Sequence, residues 1–341
     1  MLDRYFKIEA GVLPALNWLS RRVSTGVEDP AGASGDALWG AHSAGMRTLR
    51  GLRGEEEAGE RGPGGASLLE LKVELARRML ERCVCCERRC GADRLSGKTG
   101  FCGVGRASRY SSEFLHMGEE PELVPSHTVF LTGCTFECVY CQNWDIAMDA
   151  GSGTQAEPAI LADALRDGIR QGSRNANFVG GNPDPHLWTV LETVRLLGGD
   201  ARRLPVVWNS NMFTSAESMA LLEGVVDVFL GDFRYGNDLC AAELSAVEGY
   251  FQVVCGNFAR AWESSEVMVR HLVLPNHLEC CTRPVMEWTS SHMPGAYFNL
   301  MFQYRPEYRA ASYPSIDRRL TPGERACALA MAREYGLDVP G

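Results

Sequence analysis

The stretch TVFLTGCTFECVYCQNWDIA, residues 128–147, decides the fold that we predict for this chain. It opens with apolar and β-branched residues and reaches Gly133, a pattern typical of a buried strand that leads into a loop. The loop carries Cys134, Cys138 and Cys141 in the spacing C-x3-C-x2-C. Because four cysteine thiolates normally complete a [4Fe-4S] cluster, three of them predict a cluster with one iron open to a non-protein ligand.

The same stretch resembles the cysteine loop of the radical S-adenosylmethionine (SAM) enzymes, in which an aromatic residue stands directly before the last cysteine. Tyr140 has that position here. The resemblance implies that the open iron binds the amino and carboxylate groups of SAM. It also implies that the reduced cluster cleaves SAM to a 5′-deoxyadenosyl radical, which abstracts hydrogen from a substrate. The alternatives are a zinc site completed by a distant His or Cys, and three buried thiols that bind no metal.

Length and composition favour one main domain with attachments. The chain has 341 residues, of which 45% are hydrophobic, so it can bury a substantial core. The formal charge is -9 and the basic residues are scattered, which predicts neither a nucleic-acid-binding nor a membrane-binding surface. No apolar run approaches the length of a membrane helix, and the first residues lack the apolar segment of a signal peptide. Thirteen cysteines without an export signal indicate metal binding in a reducing compartment, so we expect a cytoplasmic protein.

The composition divides the chain into four predicted segments. A Gly-, Ala- and Ser-rich start and the charged run RGEEEAGERGPGG predict little burial near the N-terminus. Two capping boxes, Ser67 with Glu70 and Thr321 with Glu324, mark the starts of helices. The segments are a poorly ordered or irregular region at 1–66, a helix and a four-cysteine metal loop at 67–125, the barrel at 126–310, and a C-terminal helix that packs on it at 311–341.

A second group of cysteines precedes the main motif. Cys83, Cys86, Cys90 and Cys102 have the spacing C-x2-C-x3-C-x11-C, with Cys85 left over. Four thiolates on a Gly-rich loop fit either a structural zinc site or a fully ligated iron-sulfur cluster, and the spacing does not choose between them. A metal would hold together a loop too polar to fold by burial. A cysteine-rich loop without metal is the alternative.

After the main cysteine loop, strand-like and helix-like segments alternate, which predicts βα units in a parallel sheet. With the strand before Cys134, the pattern contains six strands. The resemblance to radical SAM enzymes implies an open six-stranded barrel, and the count agrees with it. We therefore predict an α/β fold, an open parallel (β/α)6 barrel with an N-terminal cysteine-rich extension. In parallel barrels the functional residues gather at the carboxyl ends of the strands.

The end of the second predicted strand carries the sequence GGNPDPH. By resemblance to the Gly-Gly-Glu-Pro segment of the family, the backbone at Gly180 and Gly181 binds the amino group of SAM. Glycine suits such a close backbone approach to a ligand. Asn182 stands where the family usually has Glu, so only the backbone role transfers. Read alone, the segment also fits a plain Gly-Pro turn.

Three further strand ends carry polar candidates. The resemblance makes Asn209 a ligand of the ribose hydroxyls, and Asp232 ends the fourth strand. Arg270 lies on the fifth strand, and its guanidinium suits bidentate contact with the carboxylate of SAM. The neighbouring His271 fits a hydrogen-bonded core imidazole as well as a catalytic group.

The resemblance can be narrowed by combining the motifs. The four-cysteine loop, SHTVFLTGCTFECVYCQN, DFRYGND, RHLVLP and FQYRP together resemble the radical SAM proteins known as pyruvate formate-lyase activating enzyme-like. This implies an oxidoreductase that uses SAM and a reductant such as flavodoxin or ferredoxin. It further implies a protein or peptide substrate in which a glycyl radical forms. A radical SAM enzyme acting on a small molecule and a non-catalytic, metal-stabilised binding protein are the alternatives.

Overall fold

The fold is built on one sheet of eight strands. The computed structural model describes residues 2–54 and 64–339. The strands are β1 (Arg109–His116), β2 (Ser126–Leu131), β3 (Thr154–Gln155), β4 (Ala176–Gly180), β5 (Val206–Ser210), β6 (Val228–Asp232), β7 (Glu266–Leu272) and β8 (Tyr297–Met301).

Twelve α-helices cover this sheet within the described residues. They are α1 (Asp3–Glu9), α2 (Leu16–Arg22), α3 (Gly35–Leu52), α4 (Leu68–Arg78), α5 (Trp144–Ala147), α6 (Pro158–Arg170), α7 (Leu187–Leu196), α8 (Ala216–Leu222), α9 (Asp238–Ser245), α10 (Tyr250–Ser264), α11 (Arg283–His292) and α12 (Pro322–Glu334). Among the helices of these residues, none has the length and apolar character that crossing a bilayer requires.

The sheet order is β3-β1-β2-β4-β5-β6-β7-β8. The six strands β2 and β4 to β8 are parallel, which confirms the predicted parallel α/β sheet. Two strands that the sequence pattern does not predict extend it, because β1 pairs antiparallel with both β2 and β3. Strand β1, RYSSEFLH, has no buried residue, so its pattern lacks the continuous apolar run of a central strand.

The first part of the chain differs from the prediction of a poorly ordered or irregular segment at 1–66. Helices α1, α2 and α3 form there, and Tyr5, Leu16 and Leu38 are fully buried. The side chain of Asp227, at the start of β6, accepts hydrogen bonds of 2.9 Å from the amides of Leu16 and Val206. Small residues lie between the apolar residues of this region, so its composition does not reveal the helical periodicity. Most of the charged run, 55–63, lies outside the described residues.

Helix α4 carries the chain from these helices to the cysteine-rich loop. It begins with the predicted capping box, in which Ser67 and Glu70 exchange hydrogen bonds. The buried amine of Lys72 donates to the carbonyl oxygens of Ala220 at 3.0 Å and Glu223 at 2.8 Å, where α8 ends. An amine donor at the C-terminal end of a helix is favourable because carbonyl groups without helical partners point out there. The predicted capping box of α12 is confirmed as well.

Candidate active site at the carboxyl ends of the strands

A pocket of about 230 Å³ lies at the carboxyl ends of the parallel strands. The pocket is lined by eight residues that the sequence analysis predicts for the site: Cys134, Cys138, Tyr140, Cys141, Gly180, Gly181, Asp232 and Arg270. The sheet topology thus brings together side chains that are more than 130 positions apart in the sequence.

The three loop cysteines fit an iron-sulfur cluster better than a zinc ion. A tetrahedral zinc ion with Zn–S bonds of about 2.3 Å holds two sulfur atoms about 3.8 Å apart. Within 2–54 and 64–339, one group of His and Cys ligand atoms lies within 4.8 Å of one another, and it does not include Cys134, Cys138 or Cys141. In a cluster each thiolate binds a different iron, so a wider spacing suits it.

The thiols of Cys134 and Cys141 hold their protons tightly without a metal. Burial raises the pKa of Cys134, and the neighbouring Cys138 raises it further. Burial and Cys138 also raise the pKa of Cys141, to about 11. Iron must therefore displace protons from these thiols, and we expect cluster assembly to become more favourable as the pH rises toward that value.

A chain of hydroxyl groups holds the cysteine loop in place. The Tyr140 hydroxyl is 2.7 Å from that of Tyr235, which is 2.5 Å from the hydroxyl of Ser245 at the end of α9. The Ser245 hydroxyl in turn donates to the Cys138 sulfur at 2.9 Å. The resemblance assigns Tyr140 to cofactor binding, and its side chain does line the pocket, while its hydroxyl fixes the loop.

Replacing Ser245 with Ala should lower the reduction potential of the cluster. The hydrogen bond to the Cys138 sulfur stabilises the more negative, reduced state, and its loss is worth about 1 kcal/mol, or about 40 mV for one electron. Redox titration followed by EPR measures the shift. Ser43→Ala is the control that should leave the potential unchanged, because Ser43 is an exposed serine on α3 whose hydroxyl donates to the carbonyl oxygen of Trp39. A potential in Ser245→Ala equal to wild type would contradict the assignment.

Gly180 and Gly181 pack directly against the cysteine loop. The amides of Gly181 and Asn182 donate to the carbonyl oxygens of Leu131 at 2.8 Å and Gly133 at 3.0 Å. Because those N–H groups are used, the segment can offer a ligand only its carbonyl oxygens. Carbonyl oxygens accept hydrogen bonds, so they suit the ammonium group of an amino acid.

Gly181→Ala should abolish SAM cleavage, because a Cβ atom there would lie 2.2 Å from the carbonyl oxygen of Gly133 and push the cysteine loop away. The backbone of Gly181 itself is unstrained, since it does not lie in the left-handed region. Gly199→Ala is the control, because nothing lies within 4 Å of its added Cβ. We expect at least a hundredfold loss of 5′-deoxyadenosine formation in Gly181→Ala and none in Gly199→Ala. Equal rates would show that the loop tolerates the displacement.

The asparagines at these strand ends differ in whether they line the pocket. Asn182 does not line the pocket; its side chain contacts Thr135 Oγ1 at 3.3 Å and accepts from the Asn211 amide at 3.2 Å. Asn209, expected at the ribose hydroxyls, does not line the pocket either, and its Oδ1 faces Arg270 Nη1 at 3.4 Å. Asn211 is the asparagine of this segment that lines the pocket. Strand alternation would place Asn209 and Asn211 on one face, but Asn209 lies within β5 whereas Asn211 lies just beyond its end at Ser210, where the pocket opens.

Arg270 reaches the pocket, but two carboxylates occupy its donors. Its guanidinium donates to Glu120 through Nε at 2.7 Å and Nη2 at 2.6 Å, and Nη2 also pairs with Glu119. Both glutamates are buried, and Asn299 donates to Glu120 at 2.8 Å. Burial raises the pKa of Glu120, but the charge of Arg270 outweighs it and holds that pKa below its usual range. The fork expected to bind the carboxylate of SAM is therefore already used.

Arg234 is a pocket residue that the sequence analysis does not select. It lies two positions after Asp232, pairs with that carboxylate and lines the pocket. Its Nε atom is buried and has no hydrogen-bond partner among the described residues. A buried, unsatisfied donor of a guanidinium is costly unless a ligand completes it. The signal in the sequence is the DFR triplet, whose period of two places Asp232 and Arg234 on one side of the chain.

His271 belongs to the core. Its Nδ1 is 2.7 Å from the carbonyl oxygen of Phe233, and its Nε2 is 2.9 Å from the Thr282 hydroxyl. Burial lowers its pKa to about 4, so the ring is neutral. Nδ1 thus donates to the carbonyl, and Nε2 accepts from the hydroxyl. Of the two interpretations of His271, the structure supports the hydrogen-bonded core imidazole.

The four predicted cysteines of the N-terminal loop do not all converge. Cys83 and Cys86 are buried, Cys102 is half-buried and Cys90 is exposed. The leftover Cys85 is buried too, and its thiol shares a hydrogen bond with that of Cys83. In the part of the chain that the structure describes, no three of these sulfurs lie within zinc-site distance of one another.

The N-terminal cysteine loop nevertheless packs against the main one. Arg88 Nε donates to the carbonyl oxygen of Thr135 at 2.8 Å. A Cβ atom at Gly133 would lie 2.7 Å from the carbonyl oxygen of Cys102, so the two loops touch through backbone. The residue before Cys134 must be small for this reason, and it adopts a φ of 78°, which glycine allows.

A parallel sheet with a cysteine-lined pocket at its carboxyl edge defines the class of α/β proteins whose ligand sites lie at strand ends. Residues 128–288 match the model of the Radical SAM superfamily. The chain is 47% identical over 279 residues to the uncharacterized protein MJ0674 of Methanocaldococcus jannaschii, and the match covers 80% of each chain. The chain therefore belongs to the Radical SAM superfamily. Membership implies a [4Fe-4S] cluster and SAM as cofactors.

Two solved structures are similar to this chain in part. One is a domain of a pyruvate-formate lyase-activating enzyme from Bacteroides vulgatus, with 14% identity and a TM-score of 0.40 over 49% of this chain and 99% of that one. The other is SuiB of Streptococcus suis bound to S-adenosylmethionine, with 11% identity and a TM-score of 0.45 over 61% of this chain and 48% of that one.

Proposed function

We propose that this radical SAM enzyme holds its cluster through Cys134, Cys138 and Cys141 and acts on a protein or peptide, as glycyl-radical activases do. The observation that carries the cluster assignment is the pocket itself, in which three cysteines face two glycines and two arginines at the strand ends. When bound, the cluster supplies the electron for reductive cleavage of SAM. The substrate class rests on the resemblance to pyruvate formate-lyase activating enzyme-like proteins.

The residues of the pocket can orient both ends of the methionine part of SAM. The carbonyl oxygens at Gly180 and Gly181 accept from its ammonium group. Arg234 has a buried donor without a partner, so it is our candidate for the carboxylate, with Arg270 held as a second cation close by. Leu272 and Met301 give the pocket an apolar wall, which would keep water from a reactive radical.

We also propose that Cys83, Cys86, Cys90 and Cys102 hold a second metal, zinc or an iron-sulfur cluster. Arg94 supports this, because its guanidinium is buried within the loop and lies 4.0 Å from the Cys83 sulfur. A buried cation offsets the negative charge of several thiolates. Metal analysis of a variant in which the three cysteines of the main loop are Ala tests the site. Its metal content should fall further when Cys83 and Cys86 are also replaced with Ser, and an unchanged content would contradict the assignment.

An external electron donor is required, since each cleavage of SAM consumes one electron. A small redox protein such as a flavodoxin or a ferredoxin is our proposal for that donor. Dithionite can replace it in the decisive assay.

The test is anaerobic reconstitution with iron and sulfide, reduction with dithionite, and measurement of 5′-deoxyadenosine after addition of SAM. We expect 5′-deoxyadenosine to form even without substrate. No product from a protein whose EPR spectrum shows an intact [4Fe-4S] cluster would contradict reductive cleavage. A glycyl-radical EPR signal in a candidate partner protein would support a protein substrate. A soluble product formed from a small molecule after loss of a hydrogen atom would instead support a small-molecule substrate.

A further inference from the structure

A second group of metal-binding side chains lies outside the pocket and outside both predicted cysteine loops. It consists of Cys240, His277, Cys280 and Cys281, whose ligand atoms all lie within 4.8 Å of one another. His277 Nδ1 is 3.6 Å from the Cys240 sulfur, 3.3 Å from that of Cys280 and 4.0 Å from that of Cys281. The Cys280 sulfur is 3.8 Å from that of Cys240 and 3.9 Å from that of Cys281.

These distances are those of a tetrahedron around one metal ion. Zinc binds sulfur at about 2.3 Å and imidazole nitrogen at about 2.0 Å, so tetrahedral angles place two sulfurs about 3.8 Å apart and a sulfur and a nitrogen about 3.5 Å apart. The measured separations lie on both sides of these values. They are too long for a disulfide, whose sulfurs are about 2.05 Å apart. They are also closer than the cysteines of the main loop, where each thiolate would bind a different iron.

Three structural elements build this group. Cys240 lies in the first turn of α9, and His277 follows the end of β7. Cys280 and Cys281 lie in a π-helical turn, Leu278–Thr282, that precedes α11. Turns of this type are rare and occur often at functional sites. The sequence signal is the compact HLECC segment, which supplies three of the four ligands. The fourth ligand, Cys240, lies 37 positions upstream of His277 and is therefore hard to select from the sequence.

The surrounding residues hold the ligands in place. Asn237 caps α9 through its Oδ1, which accepts from the Cys240 amide at 2.8 Å. Its Nδ2 donates to the Cys240 sulfur at 3.3 Å and to the Cys280 carbonyl oxygen at 2.7 Å. A Cβ atom at Gly236 would lie 2.7 Å from that same carbonyl oxygen, so glycine is needed there. Such outer partners orient metal ligands and tune their affinity.

We propose that Cys240, His277, Cys280 and Cys281 bind one structural zinc ion. Four protein ligands, three thiolates and one imidazole, close the coordination sphere, which is the pattern of structural and not of catalytic zinc. Binding releases the protons of the thiols as zinc–sulfur bonds form. Cys280 is exposed, so the ion can enter from solvent.

The position of the site indicates a structural role for the zinc ion. Cys240 follows the segment that carries Asp232, Arg234 and Tyr235. Asp232 and Arg234 line the pocket, and Tyr235 belongs to the chain of hydroxyl groups that holds the cysteine loop. His277 follows β7, the strand of Arg270. The zinc ion therefore ties together the two strand-end connections that supply the cations of the pocket.

The test measures zinc and iron by elemental analysis in the full-length protein and in single variants. Cys240→Ser and Cys280→Ser should each lose about one equivalent of zinc relative to wild type, with iron unchanged. Cys327→Ser is the matched control, because Cys327 is an exposed cysteine on α12. It should keep the wild-type zinc content. The comparison with wild type isolates this site even if the N-terminal loop also binds zinc.

A second measurement covers the case in which a variant folds poorly. Wild-type protein produced with cobalt in place of zinc should show the visible bands of tetrahedral cobalt and a thiolate-to-cobalt charge-transfer band in the near ultraviolet. Cys280→Ser, whose side chain is exposed, should reduce that charge-transfer band. Equal zinc content in wild type, Cys240→Ser and Cys280→Ser, or unchanged cobalt spectra in Cys280→Ser, would overturn the proposal.

Discussion

Each of the single variants Cys134→Ala, Cys138→Ala and Cys141→Ala should abolish the formation of 5′-deoxyadenosine. An alanine leaves one more iron of the cluster without a protein ligand, in addition to the open iron that binds SAM. Cys138 is the most buried of the three and accepts the Ser245 hydrogen bond, so its loss also removes one contact between the loop and α9. The reconstituted variants should contain about four iron atoms fewer than wild type, because the cluster is not retained.

Cys255→Ala is the matched control for these variants. Cys255 is a buried cysteine on α10, outside the three groups of cysteines discussed above, so its replacement should leave both iron content and product formation unchanged. The decisive measurement combines iron analysis, the EPR spectrum of the reduced protein and chromatography of the nucleoside product. Reductive cleavage of SAM by the triple Ala variant would show that the cluster is bound elsewhere.

Local sequence patterns are sufficient for the part of the fold that surrounds this loop. The strand before Gly133 and the capping boxes at Ser67 and Thr321 depend on neighbouring residues, and the structure contains them. The six parallel strands follow from alternation of short apolar runs with helical periodicity. Strand β1 and helices α1 and α3 are not predicted by such patterns. Their apolar residues are separated by small or polar ones, and burial there depends on contacts with distant parts of the chain.

The site shows the same division between local and long-range information. The cysteine spacing and the two glycines can be found in the sequence because each motif is contiguous. The pairing of Arg270 with Glu119 and Glu120 joins residues about 150 positions apart, and two adjacent acids in a turn look solvated until the sheet buries them. The resemblance cannot distinguish Asn209 from Asn211 either, since it indicates the strand end and not which residue next to that end reaches the pocket.

Arg270→Ala should destabilise the protein strongly, by about 3 to 5 kcal/mol, because it leaves two buried carboxylates without their cation. The side chains of Glu119 and Glu120 are 6% and 1% exposed, so water can replace the guanidinium only in part. The free energy of unfolding is measured by urea titration of the reconstituted protein under anaerobic conditions. The variant Arg270→Ala with Glu119→Gln and Glu120→Gln should recover most of the loss, since no buried charge is then unpaired.

The same variant has a predicted pH dependence with a definite sign. The lowered pKa of Glu120 means that its pairing with Arg270 stabilises the fold above the ordinary glutamate pKa of about 4.3 and that this contribution is lost as the pH falls below it. The difference in stability between wild type and Arg270→Ala should therefore shrink as the pH is lowered from about 4.3 toward about 2. A difference that stays constant over this range would contradict the ion-pair explanation.

Arg234→Ala separates the binding role from this structural one. If Arg234 holds the carboxylate of SAM, its loss should weaken SAM binding by about 2 to 4 kcal/mol, or roughly thirtyfold to a thousandfold, while the cluster still assembles. The triple variant at Arg270, Glu119 and Glu120 should bind SAM within a few-fold of wild type. Titration of the EPR signal of the reduced cluster with SAM measures both affinities. Normal affinity in Arg234→Ala together with lost affinity in the triple variant would return the carboxylate role to Arg270, because the stability of the triple variant excludes unfolding as the cause.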